Sequence, residues 1–314
     1  MTNIDEAVKI LKEGGVVALP TETVYGLAGS INSQAAIQKI FQIKERPFFD
    51  PLIVHVSSIE QAKSCTHHWP TCFDILAKEF WPGPVTFIVP KNDSISETIT
   101  SGLQTVGLRM PDHPLTLKII QELHSPLAAP SANKFTKTSP TDYQHVKQEF
   151  PDLPVVDGGK CQVGIESTIL GLENNKILIY RPGMLQKSDI EKTLKDHQLD
   201  ISVTYHESPI APGHLKHHYM PKRPLVLQIG HNLEKGHIPN TIFKNPLYWD
   251  IPDKPAIAAR QLYSKMRELD KETHSCLIFK LKEEYLVQED FSGIVNRLIK
   301  AASYTSPKNF SNKT

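Results

Sequence analysis

Cysteine is scarce. Four occur in 314 residues, at 65, 72, 161 and 276, with no CxxC pair and no zinc-ligand spacing, so reduced thiols are expected rather than a disulfide framework or a zinc site. No run approaches the roughly 18 apolar residues of a membrane helix. The opening MTNIDE is acidic and carries no apolar core of signal-peptide length, so a soluble, cytoplasmic chain without a membrane partner is expected. Net charge is also nearly absent: 35 Lys/Arg against 34 Asp/Glu leave +1, no global field for nucleic acid or membrane. The balance is uneven along the chain. Residues 1–212 hold 19 basic against 24 acidic side chains, and residues 213–314 hold 16 against 10. A phosphate ligand in the longer front part must therefore be held by local groups rather than by a basic surface.

What is present is an ordinary globular composition, 39% hydrophobic and 22% charged, which excludes disordered and fibrous classes. At about 150 residues per domain the length predicts two domains. Apolar positions 4, 7, 8 and 11 fall at helical spacing behind Asn3 and Glu6, and Gly14-Gly15 stops the helix predicted over 3–13. Strands are predicted over 16–19, 52–56, 85–89, 105–110, 127–129 and 155–156, with helices over 33–46, 71–80, 114–124 and 142–149. Runs 168–172 and 176–180 form a hairpin across Glu173-Asn174-Asn175. Helix-separated strands mixed with hairpins predict an α/β domain with a twisted mixed sheet over 1–205. The Pro- and His-rich stretch 206–223 reads as a linker. A smaller, Rossmann-like α/β domain is expected over 224–304, with strands 225–229 and 276–280 and helices 256–269 and 291–302. The polar residues 305–314 are expected to fray.

Four segments concentrate polar residues at strand or helix ends, where α/β sheets place ligands. PTETVYG, 20–26, taken alone reads as a turn with a helix cap. KERPFFDPL, 44–52, sets Lys44 and Arg46 at a helix end, where cations suit either the exposed carbonyls or a phosphate. His55 in the next strand could join that site or be a satisfied core residue. AAPSAN, 128–133, with TSPT, 138–141, offers small hydroxyls for phosphate or ribose oxygens, or for helix capping. DGGKCQVGIEST, 157–168, holds three glycines that let backbone approach a ligand closely, without matching a Walker loop or a GxGxxG fingerprint. Arg109 and Arg181 stand at strand ends.

Singly these segments are weak; their joint order is specific. PTETVYGL, KxRP followed by PL and His55, GPVTFIVP, VGLRMP, PSAN, SPT, DGG-x-C-x-x-G-x-EST and RPG, over residues 4–183, resemble the YrdC-like threonylcarbamoyl-AMP synthase family. Pro212-Gly213, His218-Tyr219 and Pro221 are similar to the linker of its two-domain members, and AARQLYSKMRELD with NRLIKAA to their small C-terminal domain. The resemblance implies a YrdC-like catalytic fold and a nucleotidyltransferase. Such an enzyme forms L-threonylcarbamoyl-adenylate and pyrophosphate from L-threonine, bicarbonate and ATP, with Mg²⁺ on the phosphates. The product would feed a tRNA-modifying threonylcarbamoyl transferase machinery acting on the adenosine beside the anticodon, with weak tRNA or double-stranded RNA contact as a further implication.

By the same resemblance Thr23, His55, Arg109, Ala129 and Ser167 would hold threonine. Arg46, Asp50, Thr105, Ser131, Ser139, Arg181 and Tyr219 would contact the nucleotide, and Lys44 with Arg46 would offset charge on the triphosphate during catalysis. Tyr219 lies in the linker, which suggests a lid over the site. Three departures stand out: Asp50 where the family usually has Asn, Phe135-Thr136 for Ser-Gly, and His214 for Met. The competing class is a non-catalytic double-stranded-RNA-binding protein, since 213–314 carries a net +6. A carbamoyl-adenylate-forming domain of hydrogenase maturation is a chemically closer rival.

Overall fold

The computed structural model describes residues 2–206, 218–234, 236, 238–271 and 273–307. Strands β1 (Val17–Leu19), β2 (Gly26–Ser30), β3 (Ile53–His55), β4 (Val85–Pro90), β5 (Thr105–Arg109), β6 (Leu127–Ala128), β7 (Thr168–Glu173), β8 (Lys176–Arg181) and β9 (Ser202–Tyr205) form one mixed sheet. Its order is β1-β2-β6-β3-β5-β4-β7-β8-β9. Helices α1 (Ile4–Lys12), α2 (Gln34–Lys44), α3 (Ile59–Lys63), α4 (Thr71–Phe80), α5 (Glu97–Thr100), α6 (Pro114–Leu123), α7 (Tyr143–Glu149) and α8 (Lys187–Asp196) complete this part. The Asn3 side chain caps α1 as expected, accepting from the backbone N–H of Glu6, and Ser33 and Asp142 cap α2 and α7 by accepting from Ala36 and Gln144.

The expected α/β character and mixed sheet are present, and the differences are local. β2, GLAGS, was not expected: all five residues are buried, so no alternation marks them. Helix α8 and strand β9 were also not anticipated. Val155-Val156 is no strand; Val155 makes a single isolated bridge to Ala18. Helix α2 ends at Lys44 rather than Arg46, because Glu45 adopts a left-handed conformation (φ 52°). The β7–β8 hairpin forms as expected, with Asn174 and Asn175 both left-handed at φ 49° and 59°.

One register positions the chemistry. β3 and β5 are parallel neighbours with Ile53 opposite Gly107 and His55 opposite Arg109. Because side chains alternate along a strand, His55, Arg109 and Thr105 share one face of the sheet.

The second sheet contains β10 (Leu225–Ile229), β11 (Pro246–Asp250), β12 (Cys276–Leu281) and β13 (Tyr304–Ser306), all parallel, in the order β11-β12-β10-β13. Helices α9 (Pro255–Leu269) and α10 (Ser292–Ala301) connect it. The expected frayed tail is corrected at its start: Tyr304–Ser306 pairs with β10, and the buried Ser306 hydroxyl accepts from the Glu234 N–H at 2.7 Å. Residues 308–314 lie outside the described residues, as do Pro212, Gly213 and His214.

The two sheets share apolar packing. Val24 and Ile165 of the first part, and Tyr219 of the linker, are buried in the same cluster as Ala259, Leu262, Ile294 and Leu298 of α9 and α10. Gly164 explains how closely they approach. Its φ is +86°, and a Cβ there would lie 2.5 Å from the Arg260 Cα. Within the glycine-rich segment 157–168, Gly164 thus makes its close backbone approach to α9.

Candidate active site

Arg46, His55, Arg109, Ala129, Ser131, Arg181 and Tyr219 line one cavity of about 60 Å³, together with Thr21, Glu166 and His218. These residues are scattered from position 21 to position 219 and are gathered in part by the β3–β5 register and by an isolated bridge of Gly26 to Ser131.

One side of the cavity carries the Arg109–His55 pair. Arg109 is 4% exposed, and its Nη2 lies 2.7 Å from Glu22 Oε1. The second Glu22 oxygen accepts the Asp112 N–H at 3.1 Å, so the carboxylate is itself held in place. Burial, aided by the positive charge of Arg109, pushes His55 down to about 3, so its ring is neutral at physiological pH. Its Nδ1 has no hydrogen-bond partner among the described residues. Arg109 can grip a carboxylate while neutral His55 offers a donor or acceptor to a hydroxyl or amine.

The other side is cationic. Arg46 donates from Nε to the Asp50 carbonyl at 3.1 Å and from Nη2 to the Pro51 carbonyl at 3.0 Å, and pairs with the Asp50 carboxylate at 2.8 Å. Asp50 therefore spends its charge on Arg46. Burial nevertheless raises its pKa, against the lowering effect of Arg46, Lys44 and Arg181. Arg181 donates to the Ser167 carbonyl and hydroxyl at 3.0 and 3.1 Å. The Tyr219 hydroxyl and His218 Nδ1 are buried without hydrogen-bond partners among the described residues. Each unpartnered polar atom has room for a bond to a bound molecule.

Other expected site residues stand behind these walls. Thr23 is fully buried and shares a 2.9 Å hydrogen bond with the cavity-lining Thr21. Ser167 bonds Thr86 at 2.8 Å, and Ser139 donates to Glu166 at 2.6 Å. Thr105 is on the same sheet face as Arg109 but lines a neighbouring trough of about 240 Å³, which shares Pro51 and Ile53 with the cavity. Lys44 lies behind Ser131 rather than in the cavity lining. It is fully buried, and its ammonium donates to the Ser131 and Asn133 carbonyls at 2.5 and 2.6 Å. It staples the PSAN turn from behind the cavity wall.

Phe135 and Thr136, the departures beside PSAN, are now placed. The Arg46 guanidinium lies 5.9 Å from the Phe135 ring centroid, and Thr136 holds φ 63°, where glycine is at ease and a β-branched residue is not. Three residues escaped the sequence reading. Glu22 sat within a quoted motif with nothing to single it out, and Glu166 likewise within EST. Arg297 sat inside NRLIKAA, quoted only for the C-terminal domain. No group of three or more His, Cys, Asp or Glu is placed to hold a metal among the described residues.

Comparison with known proteins bears on both parts of the chain. Residues 9–183 match the family described as "Telomere recombination", and 185–303 match "Threonylcarbamoyl-AMP synthase, C-terminal domain". The chain is 42% identical to the threonylcarbamoyl-AMP synthase of Bacillus subtilis over 71% of its own length and 66% of the relative's. It is 39% identical to that of Pyrococcus abyssi over 71% and 67%. These sequence matches thus span about two thirds of the relatives' lengths. The crystal structure of P. abyssi Sua5 complexed with L-threonine superposes with a TM-score of 0.84 at 32% identity, covering 95% of this chain and 94% of that one. The chain belongs to the threonylcarbamoyl-AMP synthase family.

Proposed function

We propose that the chain joins L-threonine, bicarbonate and ATP into L-threonylcarbamoyl-adenylate, with release of pyrophosphate and water. The observation that carries this reading is the pairing of Arg109 with neutral His55 opposite Arg46 and Arg181 in one cavity. An amino acid and a nucleotide need these two unlike halves.

The threonine carboxylate pairs with Arg109, which Glu22 orients, and the hydroxyl or amine meets His55 and the Thr21–Thr23 hydroxyls. The threonine nitrogen takes up bicarbonate carbon to give a carbamate with loss of water. One carbamate oxygen then attacks the α-phosphorus, and pyrophosphate leaves with the electron pair of the broken P–O bond. Arg46 and Arg181 offset the charge that builds on the phosphates, and Ser131 and Tyr219 offer further bonds to the nucleotide. Lys44 acts from behind by fixing Ser131. Mg²⁺ arrives with the triphosphate: Asp50 is already paired with Arg46, so the residues present fit an ion carried by substrate rather than one caged by protein.

The cavity arginines are 8%, 4% and 5% exposed at 46, 109 and 181, which suits a small ligand and leaves little for a duplex RNA surface. No helix among the described residues is long and apolar enough to cross a membrane. The adenylate would be consumed by a cytoplasmic threonylcarbamoyl transferase machinery acting on tRNA, with the net +6 of residues 213–314 available for weak tRNA contact.

Titration calorimetry with L-threonine tests the amino-acid half. Binding by the wild type that Arg109→Ala weakens by roughly a hundredfold is expected from loss of a charged, bidentate contact. Equal affinity in both proteins would refute the assignment.

A further inference from the structure

Arg297 is the largest side chain that is fully buried, and it belongs to α10 of the second domain. Its Nε donates to Glu166 Oε2 at 2.7 Å, its Nη2 to the Glu166 carbonyl at 3.2 Å, and its Nη1 to the Pro182 carbonyl at 2.8 Å and Asn296 Oδ1 at 3.0 Å. Its guanidinium carbon lies 5.3 Å from the centroid of the Tyr219 ring. Tyr263 of α9 adds a second connection. Its hydroxyl donates to the same Glu166 oxygen at 2.8 Å, and its ring stacks on Tyr219 at 5.7 Å.

Removing a guanidinium from water is costly, and a surface-packing residue could be aliphatic at no loss. Here Nε and Nη2 are both spent on Glu166 and Nη1 reaches the carbonyl that follows Arg181, besides its bonds within α10. Glu166 and Tyr219 line the cavity, Glu166 accepts from Ser139, and Pro182 follows Arg181. Tyr219 is held at φ 65°, a conformation that a tyrosine keeps only where its surroundings impose it. Its backbone is fixed by Thr138, whose hydroxyl donates to the Tyr219 carbonyl at 3.1 Å, and by the His218 N–H on the Lys300 carbonyl of α10, while Arg297 and Tyr263 pack on the ring.

We propose that Arg297, with Tyr263, is a positioning residue for the nucleotide half of the site: the second domain sets Tyr219, Glu166 and the Arg181 turn in the geometry that receives ATP. The inference rests on the synthase reading above for the identity of that ligand. Neither side chain touches the reacting atoms; both act through Glu166 and Tyr219. Of the threonine residues, His55 and Arg109 with Glu22 lie outside this network, and only Ser167, next to Glu166, adjoins it.

The test uses the full chain. KM is measured separately for ATP and for L-threonine in Arg297→Met, Arg297→Lys and Tyr263→Phe, and MgATP binding is measured directly by equilibrium dialysis. Loss of charge-assisted bonds predicts that Arg297→Met raises KM and Kd for ATP by about tenfold or more, while KM for threonine stays within roughly threefold. Arg297→Lys should recover part of the loss, and Tyr263→Phe should show a smaller shift of the same kind. A merely structural role would lower kcat in step with the folded fraction and leave the ATP constants unchanged, and that result overturns the proposal. Should Arg297→Met not fold, the other two variants decide it by the same criterion. Absence of threonine-dependent turnover in the wild type would overturn the synthase reading instead, while the dialysis constants would still judge Arg297.

Discussion

Glu22 and Arg109 form an ion pair of 2.7 Å in which both side chains are almost wholly buried, 6% and 5% exposed. A buried arginine whose partner is fixed by a second bond, here from the Asp112 N–H, presents its remaining donors in one direction. Glu22→Gln keeps the shape and removes the charge. It should raise KM for threonine by about tenfold with a smaller change for ATP, since one charged contact of this kind is worth about 1.5–3 kcal/mol. Steady-state kinetics with each substrate varied in turn checks this; equal effects on both constants would contradict it.

Asp50 faces Arg46 where the family pattern has asparagine. Burial raises its pKa, so the folded state resists its ionised form. A carboxyl with a raised folded pKa contributes stability below its unfolded pKa and loses it as pH rises through the folded value. Asp50→Asn should therefore melt higher than wild type at neutral pH, with the gap closing on acidification. It should also free Arg46 for phosphate and lower KM for ATP. Melting curves from neutral to acidic pH and one kinetic assay test both halves.

Glu166 behaves in the opposite sense. Burial raises its pKa, but Arg297, Arg181 and the bonds from Arg297 and Ser139 outweigh this and hold it near 2, against an ordinary 4.5. Its contribution to stability is present above 4.5 and drains away as pH falls toward 2. Wild type should lose stability through that window, and Glu166→Gln, less stable at pH 7, should lose less of its own. Denaturant midpoints across the acid range provide the measurement, and parallel slopes for the two proteins would contradict the assignment.

Thr136 sits in left-handed backbone at φ 63°. Left-handed geometry costs a residue with a Cβ about 1–2 kcal/mol, part of which the greater freedom of an unfolded glycine cancels. Thr136→Gly should stabilise the protein by about 1 kcal/mol or less, seen as a shift in urea midpoint at constant slope. A loss of stability would show that the threonine side chain contributes more than its backbone costs.

Much of this molecule could be read from its residues, because local rules and motif order agree. Asn3 caps the helix it announces, and Arg46, His55, Arg109, Ser131, Arg181 and Tyr219 meet in one cavity although 173 positions separate the first from the last. What stayed hidden depends on tertiary context. GLAGS is buried on both faces and so carries no period. Lys44 ends α2 and donates to carbonyls of the PSAN turn, 87 and 89 positions away, which helix periodicity has no means to signal. Tyr304–Ser306 is polar enough to look frayed, yet pairing with β10 satisfies its backbone. Arg297 has nothing to single it out within NRLIKAA until the fold closes over it.

The most direct measurement is pyrophosphate release by the purified protein with MgATP, with L-threonine and bicarbonate each supplied or withheld. The account predicts release that requires both, and its loss in Arg109→Ala. Release from MgATP alone, or none with all three present, would contradict it.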